Sequence, residues 1–161
     1  MIRNTFITDK NGHEYYSGRY GVALGIVIAI EENCNYILAS KRGIGANGHN
    51  GEWNLPVGFI EFGESGEEAA SREVFEETTI LIPSSKFCFH SVYCPANSNT
   101  IALRYITYLK HKKPIQYKVM NNTGGEPEEV SDIKWINIED IDNYKWCYGH
   151  DKVIKHLYDQ Y

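Results

Sequence analysis

The chain has no excess of basic residues, no paired cysteines and no apolar run long enough to cross a bilayer, and each absence removes a class of function. Its formal charge is −5, so it offers no positive footprint to a nucleic-acid duplex or an anionic membrane. The longest apolar run, Gly21 to Ile30, is too short for a membrane span, lacks signal-peptide flanks and reads as a buried strand. Cys34, Cys88, Cys94 and Cys147 show no C-x-x-C spacing, and 161 residues can bury a core without a disulfide. A reducing cytoplasm is therefore the expected location. The six histidines are dispersed, which gives a zinc site little support. No repeat, low-complexity tract or Pro/Ser-rich linker divides the chain, so a single domain over residues 1–161 is expected.

Acidic residues, by contrast, are concentrated. Seven glutamates fall between Glu61 and Glu77, with Arg72 the single basic residue among them. At about 100° per residue, a helix would hold Glu73, Glu76 and Glu77 on one arc. Ala69 and Ala70 share that arc and Val74 borders it, so these acids lie on the side expected to face protein. Like charges at i,i+3 and i,i+4 repel, acids in a last turn oppose the helix dipole, and partial burial worsens both effects. A divalent cation would remove all three costs. The plain alternative is a solvated acidic face.

The hydrophobic pattern places this cluster in a mixed fold. Thr5–Thr8 and Glu14–Tyr16 flank an Asn11-Gly12 turn signal and predict a hairpin. Tyr20 to Ile30 and Asn35 to Lys41 read as strands, followed by a glycine- and asparagine-rich loop over 42–52 and a short strand around Trp53–Pro56. Ser65 and Glu68 form a capping-box pair, which starts a helix and leaves Glu64 in the loop before it. Phe87 to Tyr93, Thr100 to Lys110 and Ile133 to Asn137 predict further strands. A short helix or turn near 138–144 and a helix from Asp151 to Tyr158 complete the chain. Strands interleaved with two helices imply an α/β fold with a mixed sheet covered on both faces.

Gly58, Glu64, Arg72, Glu73, Val74, Glu76, Glu77 and Ile80 stand at the spacing G-x5-E-x7-R-E-U-x-E-E-x-G-U, with U a bulky aliphatic residue. This resembles the signature of the Nudix hydrolases, and only Thr79, in place of the last glycine, departs from it. Gly12 to Arg19, Arg42-Gly43, Trp53 to Pro56 and Gly149 to Lys152 also resemble small bacterial Nudix proteins. The resemblance implies an α/β/α sandwich with a mixed central sheet, and a motif spanning 58–80. It also implies hydrolysis of the pyrophosphate bond in a nucleoside diphosphate linked to another moiety, with Mg2+ or Mn2+ as cofactor.

By motif position, the resemblance makes Glu73, Glu76, Glu77 and the Gly58 carbonyl metal ligands. Arg72 would orient Glu73 and Glu76, its plain alternative being a surface pair with Glu76. Glu64 is either general base or structural anchor. A further acidic ligand is expected in the loop 124–129, with Glu129 preferred to Glu126 and Glu128 and a solvated loop as the alternative. Arg42 is a candidate phosphate contact, and Tyr16, Tyr20 and Tyr93 are candidates to stack on a base, although sheet tyrosines more often pack. His150 or Asp151 is expected to cap the last helix.

A non-catalytic Nudix-fold nucleotide-binding module is the alternative function. The full set of motif carboxylates speaks against it, and the chain leaves no room for an attached DNA-binding domain. Isomerisation of a diphosphate would need a placed cysteine that none of the four provides. Homodimer formation stays open. Two departures from the pattern matter. Val57 in place of a glycine is tolerable if it lies in extended backbone. Thr79 is poor where φ must be positive, and with Pro83 already blocking the helix an ordinary turn is expected there.

Overall fold

The computed structural model describes residues 5–32, 34–113 and 129–159. Nine strands and two helices follow in chain order: β1 Thr5–Thr8, β2 Glu14–Ser17, β3 Tyr20–Glu31, β4 Cys34–Arg42, β5 Trp53–Asn54, β6 Val57–Phe59, α1 Gly66–Thr78, β7 Cys88–Tyr93, β8 Thr100–Leu109, β9 Val130–Asn137 and α2 His150–Tyr158. Short 3-10 turns at Ser84–Lys86 and Ile138–Asn143 connect them. Among the described residues, strands β1 and β2 pair only with each other, across the turn that contains Gly12. The other seven form one sheet in the order β5-β4-β3-β8-β7, with β6 added to β3 and β9 to β4.

The sheet is mixed because β3 and β8 run parallel in unbroken register from Tyr20–Thr100 to Ala29–Leu109, while its other pairings are antiparallel. Alternation along β3 divides the core. Leu24, Ile26 and Ile28 join Ile37, Leu55, Ile106, Ile136, Ile154 and Leu157 on the face covered by α2. Ala23 and Val27 join Leu38, Ala69, Ala70, Val74, Ile82 and Phe87 on the face covered by α1. The expected α/β/α layering is thus present. Gly25 faces α1, and a Cβ there would collide with Val74 and the Ala70 carbonyl. Absence of a side chain at this position lets α1 sit directly on the sheet.

β3 and β4 pair only between Ile28–Glu31 and Cys34–Ile37, then part. Beyond the split, β3 takes β6 and β4 takes β5, so the sheet opens over the last turn of α1. Val57 lies in a strand, extended as the sequence requires of it. The four cysteines are free, and among the described residues no helix is long and apolar enough to cross a membrane.

Two local expectations are corrected. Thr79 is not in an ordinary turn: it caps α1 in left-handed backbone at φ 59° and ψ 7°, and its N–H donates to the Phe75 carbonyl at 2.7 Å. Pro83 lies too far downstream to shape this cap. Neither His150 nor Asp151 caps α2, because the N-cap is Gly149, in left-handed backbone and without a side-chain cap bond.

Candidate active site

Helix α1 begins as its sequence dictates, with Ser65 Oγ accepting from the Glu68 N–H and the Glu68 carboxylate accepting from the Ser65 N–H. That start fixes the rotation of the helix. Ala69, Ala70, Val74 and Thr78 are buried, Glu73 and Glu77 are partly buried, and Glu76 lies on the exposed border.

Arg72 gathers the acids around itself. Its Nε and Nη2 donate to the two oxygens of Glu64 at 3.1 and 2.7 Å. Nη1 donates to Glu73 at 2.6 Å and to Glu76 at 2.9 Å, and Nη2 also reaches the Phe59 carbonyl at 2.8 Å. The guanidinium therefore spans three carboxylates and the end of β6, more than the surface pair with Glu76 considered from sequence. These bonds raise the Arg72 pKa above its ordinary value and hold Glu64 below the usual carboxylate range. For Glu73 burial outweighs the pull of Arg72, and its pKa is raised. The Glu73 carboxylate packs where a Cβ on Gly58 would stand, so only glycine admits it against the β6 backbone.

Glu77 enters the split in the sheet. Its carboxylate accepts from Ser40 Oγ on β4, from Asn54 Nδ2 at 3.4 Å on β5 and from the Val57 N–H at 3.1 Å on β6. Burial there pushes its pKa up to about 7 against these favourable bonds. Three strands thus share one carboxylate, although nothing in their sequences marks Ser40 or Asn54 as its partners.

A cavity of about 1060 Å³ lies over this wall. Gly58, Glu73, Glu76, Glu77, Glu129 and Arg42 all line it, as do Tyr20, Tyr93, Tyr148, Arg104 and His150. Arg72 and Glu64 stand behind the wall rather than on it. Tyr16 is apart from the cavity lining: it sits on β2, exposed, with its ring 5.6 Å from that of Phe6. The separate pairing of the β1–β2 hairpin explains this, since no strand of the main sheet carries Tyr16 toward the site. Glu126 and Glu128 lie outside the described residues.

Arg42 donates to the Gly48 and Asn47 carbonyls at 3.0 and 3.4 Å and lies 5.4 Å from the centre of the Tyr148 ring. It braces its own loop. His150 is buried, and its Nδ1 accepts from the Leu55 N–H at 2.9 Å. Burial and the charges of Arg104 and Arg42 press its pKa down to about 3. The ring is therefore neutral, with its proton on Nε2. Arg104 and His150 were not singled out for this site by sequence, because long-range strand pairing and helix placement bring them in.

Among the described residues no three His, Cys, Asp or Glu side chains are gathered closely enough to clasp one ion. In this arrangement the carboxylates are turned to Arg72, Ser40, Asn54 and Val57. The donor chemistry still fits a hard divalent cation, with all-oxygen groups along one wall and a raised pKa at its buried members.

A NUDIX domain model matches residues 19–157. The chain belongs to the NUDIX family. It is an enzyme of the Nudix hydrolase kind. The ADP-ribose pyrophosphatase of Methanocaldococcus jannaschii is 31% identical over 85% of this chain and 76% of that protein. The NAD-capped RNA hydrolase NudC of Mannheimia succiniciproducens is 27% identical over 71% of this chain, which spans only 39% of that protein. The NUDIX domain of Shewanella oneidensis NrtR, solved with ADP ribose, shares the fold at a TM-score of 0.71 and 18% identity, covering 89% of this chain and 88% of that one.

Proposed function

We propose that this Nudix protein hydrolyses the pyrophosphate bond of a nucleoside diphosphate linked to another moiety, with Mg2+ or Mn2+ bound. The observation that carries this reading is the single cavity that Gly58, Glu73, Glu76, Glu77 and Glu129 line together. Its relatives named for ADP-ribose and NAD-capped RNA act on such diphosphates and support the substrate class.

Glu73, Glu76 and Glu77, with the Gly58 carbonyl and Glu129, would hold the metal. The metal would neutralise diphosphate charge and lower the pKa of water. Around it the chain supplies orientation. Arg72 fixes Glu73 and Glu76. Ser40, Asn54 and Val57 fix Glu77 from three strands. Glu64, with both oxygens on Arg72 and its pKa held low, is suited to anchoring Arg72 and poorly suited to accepting a proton. Tyr20, whose ring lies 5.1 Å from that of Phe59, and Tyr93 offer aromatic surfaces to a base.

The test is a panel of ADP-ribose, nucleotide sugars, dinucleotides and nucleoside triphosphates with Mg2+ or Mn2+, scored by released phosphate or nucleoside monophosphate. Turnover that survives metal stripping and chelator overturns the metal dependence. Binding without turnover across the panel overturns hydrolysis in favour of a binding module.

A further inference from the structure

The described arginines divide by what satisfies them. Arg72 is bound to three carboxylates, Arg42 to two loop carbonyls, and Arg19 to Cys94 Sγ at 2.7 Å and the Ala96 carbonyl at 3.1 Å. Arg104 has no hydrogen bond or ion pair among the described residues. It lies instead with its guanidinium carbon 4.9 Å from the centre of the Tyr93 ring. It is partly buried, stands beside Leu24 in the parallel β3–β8 pair and lines the cavity. Burial depresses its pKa, and only Tyr93 opposes that shift. A partly buried guanidinium with no counter-ion is costly. Stacking on an aromatic face orients its plane and leaves its N–H edge available for a forked contact.

Two neighbours share this lack of partners. Ser91 pairs with Arg104 across β7 and β8, and its buried Oγ has no hydrogen-bond partner. His150 is only 7% exposed and faces the same cavity. The Leu55 N–H occupies its Nδ1, which leaves an Nε2–H donor without a partner among the described residues. Arg104 stands in register with Leu24, which packs on the face covered by α2, and His150 is the first residue of α2, so both reach the cavity from that face of the sheet. A charged fork and a neutral N–H both donate, and donor groups of this kind are satisfied best by an anion.

We infer that Arg104, with His150 lining the same cavity, forms an anion subsite that selects substrates whose linked moiety carries its own phosphate or carboxylate. This rests on the hydrolase reading for its place in catalysis, and on the cavity alone for binding. A nucleobase acceptor would satisfy the N–H groups but leave the charge uncompensated, so an ionised group is the better occupant.

Two matched pairs of ligands test this. UDP-glucose against UDP-glucuronate isolates a carboxylate, and ADP-ribose against ADP-ribose 1″-phosphate isolates a phosphate on the linked ribose. Both kcat/KM with Mg2+ and equilibrium affinity with Ca2+ in its place are measured on the parent, Arg104→Gln and Arg104→Lys. The parent should favour the anionic member of at least one pair. Arg104→Gln should lower both quantities for that member about thirtyfold or more, and for the neutral member by no more than about threefold. Arg104→Lys should recover part of the preference, because it keeps the charge and loses the fork. Equal losses on both members of each pair would assign Arg104 to the shared diphosphate or to structure, and would overturn the subsite. So would a parent with no preference in either pair. A parent that binds the anionic member through Arg104 yet cleaves nothing with Mg2+ or Mn2+ would keep the subsite and remove the hydrolase reading.

Discussion

The Leu55 N–H donates to Nδ1 of His150 at 2.9 Å, joining the segment that leads into the motif to the first residue of α2. Both residues are buried, so His150→Ala leaves a backbone donor unsatisfied. A loss of about 1–3 kcal/mol is expected from that group alone, and it should appear as a lower urea midpoint. His150→Asn, whose side-chain carbonyl can accept the same N–H, should be less damaging. Equal midpoints for the parent and the alanine variant would show that water replaces the ring without cost.

Two buried groups give the metal-free protein opposing pH dependences. The folded pKa of His150, about 3, lies below its ordinary 6.5, so its contribution is intact above pH 6.5 and is lost as pH falls toward 3. The folded pKa of Glu77, about 7, lies above its ordinary 4.5, so its contribution is intact below pH 4.5 and is lost as pH rises to 7. Between pH 4.5 and 6.5 the slopes oppose each other. Glu77→Gln removes one of them, and its denaturant midpoint should then fall more steeply on acidification through that window than the parent's. Parallel curves would show that Glu77 titrates as an ordinary exposed acid.

Metal binding should depend on the same carboxylate. The cation takes the ionised form, so Mg2+ or Mn2+ should raise the melting temperature more at pH 8 than at pH 5.5. Glu77→Gln should shrink that pH-dependent rise, and Glu76→Gln and Glu77→Gln should each reduce turnover by orders of magnitude while the fold is retained. Near-parental turnover in both variants would leave α1 with a structural role only.

The parts of this site legible in sequence were those set by local spacing. The Ser65–Glu68 box fixes where α1 starts, and with it the common side of Glu73 and Glu77. The bonds of Arg72 to Glu73 and Glu76 also agree with that spacing, whereas its fork onto Glu64 was not read from the sequence and depends on how the loop before the helix returns. What was not legible depends on pairing between distant strands. Ser40 and Asn54 reach Glu77 only because β3 and β4 part after Ile28 and Ile37. Arg104 reaches the cavity through its parallel register with Leu24, while Arg42, conspicuous at a strand end, has its N–H groups drawn into its own loop. Tyr16 was judged by residue type, and among the described residues the hairpin that carries it pairs with nothing but itself.

Glu129 begins the last described segment, lines the cavity and holds its backbone to the loop after β4, its carbonyl accepting from the Gly43 N–H at 2.7 Å. If it completes the metal site, Glu129→Gln should lower kcat at saturating metal and substrate more than Glu126→Gln or Glu128→Gln does. A larger defect at Glu126 would move the ligand to that residue. Negligible effects at all three would assign the metal's carboxylates to α1 alone.

Thr79 holds the position where the motif has glycine, and it keeps the geometry that glycine would adopt. At φ 59° its Cβ crowds the following carbonyl, a cost of about 1–2 kcal/mol for a residue other than glycine. Thr79→Gly removes that strain and adds about 0.5–1 kcal/mol of backbone entropy to the unfolded chain. The strain is the larger of the two, so the variant should unfold at an equal or slightly higher urea midpoint, with metal response and turnover preserved. Val at the same position is a sharper control, because it keeps the β-branch and removes the hydroxyl. If Thr79→Gly is clearly less stable than the parent while Thr79→Val is not, strain relief is not the governing effect and the branched side chain supports the cap through its packing. If both are less stable, the threonine hydroxyl contributes more than the left-handed backbone costs.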